Sequence, residues 1–368
     1  MSDQRNIAVI GCGGWGRNIV RVLAAHGGFG ALRAVVDPSK ARRVMARELA
    51  PEAAVYEHPS PVWEDPGVRG VMIATPAETH YRLARDALAA SKDVFVEKPM
   101  TIDVNEARDL LARAAATGRV LMVGHLLEYH PAILTLRQLI RDGELGSIRY
   151  VVSNRLNLGK IRTEENALWS FAPHDLAAIL RLVDALPRQV VATGGSYLKP
   201  DVADVTVTQL LFDNNVGCHI FVSWLHPFKE QKLVVIGSRR MASFDDVAKR
   251  LVLYDQRADG EPGRLAPGCG DGTDVAFPLT EPLREECRHF IECMEGRLTP
   301  RTDGADGLRV LRILHAAQQS LMADGHPVKL QWLADSDGRT DPERPAPVIA
   351  TIPPAAAGRR HAYESLRS

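Results

Sequence analysis

Through the first 125 residues two patterns alternate. Short runs rich in β-branched residues, "NIAVIG", "LRAVVD", "GVMIAT", "DVFVEKP" and "RVLMVGH", are apolar at successive positions. Between them, residues 15–26, 39–48, 78–90 and 103–116 carry Ala, Leu and Arg at helical spacing. Strands that are apolar on both faces, separated by helices, predict a parallel sheet covered on each side.

The pattern changes after about residue 145. "GSIRYVVSNRLNLG" reads as a strand and "FAPHDLAAILRLV" as a helix beginning near Phe171. "RQVVATGGSYL", "DVTVTQLLF", "VGCHIFVSWL", "KLVVIGS" and "LVLYD" then follow as consecutive strands, with turn residues such as "DNN" at 213–215. This predicts a largely antiparallel sheet. "EPLREECRHFIECMEG" and "GADGLRVLRILHAAQQSLM" return to helical spacing, the first with Pro282 near its start. The last stretch is rich in Pro, Ala, Gly and Arg and has little period. The expected organisation is an α/β chain in three parts. Residues 1–125 form a doubly wound, nucleotide-binding Rossmann sheet. Residues 126–330 form an α/β domain for substrate binding and self-association, and 331–368 form a tail.

Composition narrows the function without naming it. The 368 residues include 45 Lys+Arg and 45 Asp+Glu, so no net field recruits nucleic acid or an anionic membrane. No apolar run approaches the ~20 residues of a membrane span. The opening "MSDQRNIAVIGCGG" lacks the apolar core of a signal peptide. Cys12, Cys218, Cys269, Cys287 and Cys293 are scattered and show no zinc spacing. A cytoplasmic protein without a structural metal is expected, acting on a small molecule rather than on nucleic acid or membrane.

The chemistry gathers at strand ends. "IAVIGCGGWG" places Gly11, Gly13 and Gly16 directly after a strand and at the mouth of a helix, with Gly14 and Trp15 between. Gly11 makes the turn, Gly13 admits a pyrophosphate and Gly16 lets the helix pack on the sheet. Asp37 ends the next strand at the ~20-residue spacing of a carboxylate that holds the ribose 2′-hydroxyl of NAD. NAD is therefore expected rather than NADP, although Arg42 or Arg43 could reach a 2′-phosphate. "IATPAETH" sets Thr75, Pro76 and His80 at another strand end, on the ligand side of such a sheet. "VFVEKPM" sets Glu97 and Lys98 at a third, with Pro99 stiffening the turn. A lysine there could take the proton of an alcohol as its hydride leaves. His174 and Asp175, at the expected start of the apolar helix, could supply a matching group; helix-start chemistry explains them equally well.

Taken in order, "VIGCGGWG", "VVD", "IATPAETH", "VFVEKPM" and "GELGSIRYV" resemble the Gfo/Idh/MocA oxidoreductases, from about residue 5 to about residue 325. The resemblance implies a nicotinamide cofactor, a second domain with an open sheet, and sugar or cyclitol substrates. It implies that Lys98 is catalytic and that His174 lies on the first helix of the second domain. Two departures stand out. The frequent family pattern D-x-G-x-H-x-x-D has Ser170 and Ala177 here in place of its aspartates, with Asp175 as a partial substitute. Glu128-Tyr129 replaces a frequent Arg-Phe pair after the fifth of the strand-like runs.

"NRLNLGKIRTEENALWSFAPHD" and "FVSWLHPFKEQKLVVIGSRRMASFDD" resemble a subgroup that acts on UDP-N-acetylated sugars. It oxidises the C3 hydroxyl of UDP-GlcNAc or its uronate before transamination. Arg155, Lys160 and Arg162 could then meet a diphosphate or carboxylate, and Asn154, Asn157 and Trp169 could hold hydroxyls and a ring face. Asp175 joins them as a substrate-side residue. Trp224 reads as packing. The face of the second sheet that carries "FVSWL" and "LVVIG" calls for cover, so a homodimer or homotetramer is expected. The alternatives are a dehydrogenase of a free sugar or inositol, a cofactor-sensing regulator, or a subunit of a larger assembly that binds through its tail.

Overall fold

The computed structural model describes residues 5–24, 28–159, 165–255 and 271–332. Its first part runs β1 (Ile7–Ile10), α1 (Gly16–Leu23), β2 (Leu32–Val36), α2 (Lys40–Leu49), β3 (Ala54–Tyr56), α3 (Ser60–Glu64), β4 (Gly70–Ile73), α4 (His80–Ala89), β5 (Asp93–Glu97), α5 (Val104–Thr117) and β6 (Leu121–Gly124). The six strands pair in parallel in the order β3-β2-β1-β4-β5-β6. Their C-terminal ends carry the glycine turn, the Thr75-Pro76 turn and the Glu97-Lys98 turn. The order reverses between β1 and β4, so these turns border the crevice where such sheets bind ligands.

The sequence pattern passed over β3 and α3. The strand is three residues long, Ala-Val-Tyr, too short to announce itself.

The second part comprises α6 (Pro131–Arg141), β7 (Ile148–Leu158), α7 (Ala167–Val183), β8 (Pro187–Gly195), β9 (Val205–Phe212), β10 (Gly217–Ser223), β11 (Leu225–Gly237), β12 (Arg240–Asp245), β13 (Arg250–Asp255), β14 (Thr273–Asp274), α8 (Pro282–Gly296), α9 (Gly304–Met322) and β15 (Val328–Lys329). Among the described residues the sheet has nine strands in the order β14-β13-β12-β11-β7-β10-β9-β8-β15. All its pairs are antiparallel except β7 with β10. α6 and β12 are elements that the hydrophobic pattern did not single out. His130 caps α6 by accepting from the Ala132 amide, and Pro131 opens it.

One expected boundary is corrected. α7 starts at Ala167, capped by the Asn166 side chain, which accepts from the Trp169 amide at 3.1 Å. Pro173 lies inside the helix, so His174 and Asp175 are interior residues rather than first-turn residues. The cap at Asn166 lies ahead of Pro173, a residue type common in a first turn, which concealed the true start. A proline within a helix removes one backbone donor, leaving the preceding turn with an unmatched carbonyl.

Two cores flank the first sheet. Ile7, Val9, Met72, Phe95 and Met122 point to one side, where Leu283, Cys287, Phe290 and Met294 of α8 join them. Ala8, Ile10, Val71, Val94 and Val96 point to the other, against α4 and α5 and against Leu311 of α9. The last two helices thus fill cores belonging to the first sheet. Each fully buried side chain of this size contributes roughly 1.5–3 kcal/mol.

Candidate active site

A cavity of about 1270 Å³ runs from Trp15 and Arg42 past Lys98 and His174 to Trp169, Gln231 and Gln318. At one end Trp15, the only residue of the glycine turn in the lining, borders it, while Gly11, Gly13, Gly14 and Gly16 do not. Gly11 has φ +94°, and a Cβ there would meet the Ala74 carbonyl oxygen at 2.5 Å. A Cβ on Gly16 would meet the Gly11 oxygen at 2.0 Å, so the helix sits directly on the turn. Gly14 has nothing within 4 Å of its Cβ position and Gly13 only the Arg42 guanidinium at 3.6 Å. That open backbone is the space a pyrophosphate would fill, and it fits a dinucleotide.

Asp37 follows β2, with its carboxylate turned toward the backbone of the glycine turn. It is 1% exposed and stays out of the cavity lining. Its carboxylate accepts from the Cys12 amide at 2.8 Å and from the Ser39 amide at 2.9 Å. It braces the glycine turn from beneath through these two backbone donors. Arg42, 3.7 Å from its carboxylate and half exposed, is the side chain at the cavity edge.

Lys98 and His174 meet at the cavity wall. Lys98 Nζ donates to the Ser170 carbonyl at 2.9 Å, tying the turn after β5 to the part of α7 just before Pro173. His174 Nδ1 is buried with no hydrogen-bond partner among the described residues. Burial first, then the charges of Lys98 and Arg155, push the imidazole well below its ordinary pKa. It is therefore neutral.

Glu97 lines the cavity beside Lys98. It accepts from the Trp15 indole N–H and, at 3.3 Å, from the Lys98 amide. Burial raises its carboxyl to about 7 despite these donors. His80 also lines the cavity, but its ring is fully engaged: Nδ1 faces the Pro99 carbonyl at 2.8 Å and Nε2 the Thr75 carbonyl at 2.9 Å. It joins two turns of the cavity wall. Thr75 and Pro76 border the cavity, with Thr75 Oγ1 2.6 Å from Thr79 Oγ1.

The expected substrate residues divide. Asn157 and Trp169 line the cavity, and Asn157 Oδ1 is buried without a partner among the described residues. Asn154 lies on the opposite face of β7, because side chains alternate along a strand. It donates to Glu230 at 2.6 Å and does not reach the cavity. Asp175 is turned away too, accepting from Ser153 at 2.8 Å and from Arg155 at 2.7 and 3.1 Å. Arg155 borders the cavity with its charge matched by that carboxylate, so it is no free cation for a diphosphate. Lys160 and Arg162 lie outside the described residues. Trp224 is fully buried and donates to Asp204 at 2.5 Å, as a packing residue does.

Several polar residues at or behind this wall had drawn no attention in the sequence. His125 is 1% exposed, has neither ring nitrogen partnered among the described residues, and is driven down to about 3 by burial and by Lys98 and Arg181. His130 Nε2 sits 3.3 Å from Asp246. Gln318 comes from α9, far along the chain. The "GH" after β6 was a visible signal for His125, since it ends a strand on the ligand side. Nothing local marked Gln318.

Comparison with known proteins agrees with this arrangement. Residues 5–125 match the oxidoreductase family with an NAD-binding Rossmann fold, and residues 133–243 match the GFO/IDH/MocA C-terminal domain. A UDP-N-acetylglucosamine 3-dehydrogenase from Acidithiobacillus ferrooxidans is 30% identical over 304 residues, 82% of this chain and 93% of the relative. The chain belongs to the Gfo/Idh/MocA oxidoreductases. The Gfo/Idh/MocA relatives also include a Bacillus subtilis scyllo-inositol 2-dehydrogenase (NAD(+)), 27% identical over 90% of this chain and 97% of its own. The solved structure of the A. ferrooxidans enzyme superimposes with a TM-score of 0.76 at 26% identity, over 87% of this chain and 98% of that one. The named relatives are dehydrogenases of sugars or polyols, and this chain is an oxidoreductase of their kind. Among the described residues no helix is long and apolar enough to cross a membrane.

Proposed function

We propose that this chain is an NAD-dependent dehydrogenase of a UDP-N-acetylated hexose. It converts the C3 hydroxyl of UDP-GlcNAc or its uronate to a ketone that a transaminase can use. The observation that carries the reading is the meeting of Lys98 with the neutral His174 in a cavity that Trp15, beside the glycines, also lines. Similarity to a UDP-N-acetylglucosamine 3-dehydrogenase along nearly all of that relative supports the substrate class.

The open backbone at Gly13 and Gly14 would hold the pyrophosphate, with Trp15, Thr75 and Pro76 along the nicotinamide half. The nicotinamide, when bound, takes the hydride from the sugar carbon. The protein's task is the proton. His174, kept neutral by burial, accepts it from the hydroxyl. Lys98, fixed by the Ser170 carbonyl, holds the oxygen as negative charge develops on it. Asn157 and Trp169 face the sugar. Cover for the second sheet comes from self-association, as a homodimer or homotetramer.

One observation favours a second reading, a dehydrogenase of a neutral polyol with the same fold. Arg155 is matched by Asp175, so the cavity carries less free positive charge than a diphosphate would welcome. The two readings separate in one assay. Purified protein with NAD is given UDP-GlcNAc, its uronate, myo-inositol and glucose, with an aminotransferase and amino donor added to draw off a 3-keto product. Reduced nicotinamide formed with a UDP-sugar, and lost in Lys98→Ala, is the expected result. Turnover confined to myo-inositol or glucose would overturn the UDP-sugar reading.

A further inference from the structure

Gln318 is held with its amide oxygen occupied and its amide nitrogen left for a ligand. The orientation follows from chemistry, not from an arbitrary choice between oxygen and nitrogen. The Trp169 backbone N–H can only donate, so the Asn166 atom that meets it at 3.1 Å is an oxygen. The Asn166 amide nitrogen is then the atom that donates to Gln318 at 2.8 Å. The Trp169 indole N–H also can only donate, and it reaches the same Gln318 atom at 3.1 Å. Two donors therefore fix that atom as Oε1. Gln318 Nε2 has no partner among the described residues, and the residue lines the cavity.

The side chain is also fixed in place relative to the catalytic turn. His315, on the same helix, has Nε2 3.0 Å from the Ile102 carbonyl, just past Lys98 and Pro99. Its ring meets Trp169 edge-on, with centroids 5.2 Å apart. α9, the capped start of α7 and the Lys98 turn thus form one braced unit around the Gln318 amide.

We infer that Gln318 Nε2 is a specificity donor that reads the carbonyl oxygen of the substrate's acylamino group. This rests on the proposed UDP-sugar reading. In such a sugar the acylamino group sits on C2, next to the carbon being oxidised. A donor braced against the catalytic turn suits an acceptor next to the reacting centre. A site built to donate to a carbonyl discriminates against an analogue without it, since its own N–H is then left unpaired.

The test compares two ligands that differ at C2, UDP-GlcNAc and UDP-glucose, by calorimetric titration into NADH-loaded protein. Gln318→Glu keeps an oxygen for Trp169 and Asn166 and replaces the donor with an acceptor. Its added charge repels the diphosphate of both sugars alike, so UDP-GlcNAc is expected to weaken roughly 10- to 100-fold more than UDP-glucose does. Gln318→Met, which removes both atoms, is expected to narrow the gap between the two sugars in the same direction. An equal loss for both sugars would place the donor on the nucleobase or on packing and overturn the assignment. So would a matching loss of NADH affinity, which would place it on the nicotinamide carboxamide, or no change at all. If the unaltered protein binds neither sugar, the substrate reading fails first and this assignment with it.

Discussion

Lys98 Nζ donates to the carbonyl oxygen of Ser170 at 2.9 Å. That carbonyl lies four residues before His174 on α7. A hydrogen bond to the backbone of the histidine's own helix fixes the two groups relative to each other, although one ends a Rossmann strand and the other lies in the second part of the chain. Pro173, which cannot donate, orphans the Trp169 carbonyl next to this one rather than the Ser170 carbonyl itself.

The first prediction concerns this pair. Lys98→Met and His174→Ala are each expected to lower kcat by roughly 100- to 10,000-fold, the range for a lost acid–base or oxygen-holding group. Binding of NADH, followed by nicotinamide fluorescence, should change little. A loss of kcat below ten-fold in either variant would remove that residue from the chemistry.

The pH profile should reflect the buried histidine. Because burial and Lys98 hold His174 well below its ordinary range, it stays neutral through mildly acidic pH. A plot of kcat/KM against pH should therefore show no limb from this residue near its usual pKa of about 6.5. Glu97 is the cavity group placed to titrate near neutrality, at about 7. Any limb near pH 7 should thus disappear in Glu97→Gln. A limb that survives in Glu97→Gln and vanishes in His174→Gln would refute this assignment.

Glu286 offers a stability test with a defined sign. It is 0% exposed, neither carboxyl oxygen has a partner among the described residues, and burial together with Glu97 and Glu128 raises its pKa well above the ordinary value. A raised carboxyl binds its proton more tightly in the folded state. Stability therefore falls as pH rises above the unfolded value of about 4.5 and continues to fall until the folded pKa is passed. Glu286→Gln removes that penalty. The Tm of the variant relative to the parent should become more favourable between pH 5 and pH 8, as read by calorimetry. A difference that is flat with pH would mean that the site is better solvated than its burial implies.

Legibility differed by region for physical reasons. The Rossmann half was readable because β1, β4 and β6 carry no polar residue and its turn residues sit at fixed offsets, as with Gly11 and Gly16. Asp37 was legible as a strand-end residue, but spacing could not show that the Cys12 and Ser39 amides also donate to its carboxylate. In the second half, β7 was visible as a strand, yet the face of each residue depends on register. Arg155 therefore fell on the cavity side and Asn154 on the other. Gln318 was illegible because its role arises from contacts with Asn166 and Trp169 that only the folded chain creates.

The last prediction follows from the Arg155–Asp175 pair. The two groups are joined by bonds of 2.7 and 3.1 Å, and Asp175 also accepts from Ser153. Arg155 is 13% and Asp175 3% exposed at the side chain, so neither charge has water to fall back on. Together they fasten β7 to α7, the helix that carries His174. Removing one partner leaves a buried charge uncompensated, and Asp175→Ala should cost about 3–5 kcal/mol in urea unfolding. Replacing both, as Arg155→Met with Asp175→Leu, should recover most of that loss, because an apolar pair avoids the desolvation that the ion pair must offset. If the pair serves only to hold the helix, the double variant should also retain kcat within about ten-fold, well short of the loss expected for a direct acid–base group. A stable double variant whose kcat falls as far as that of His174→Ala would instead show that Arg155 acts on the substrate itself, restoring it as the cation for the diphosphate.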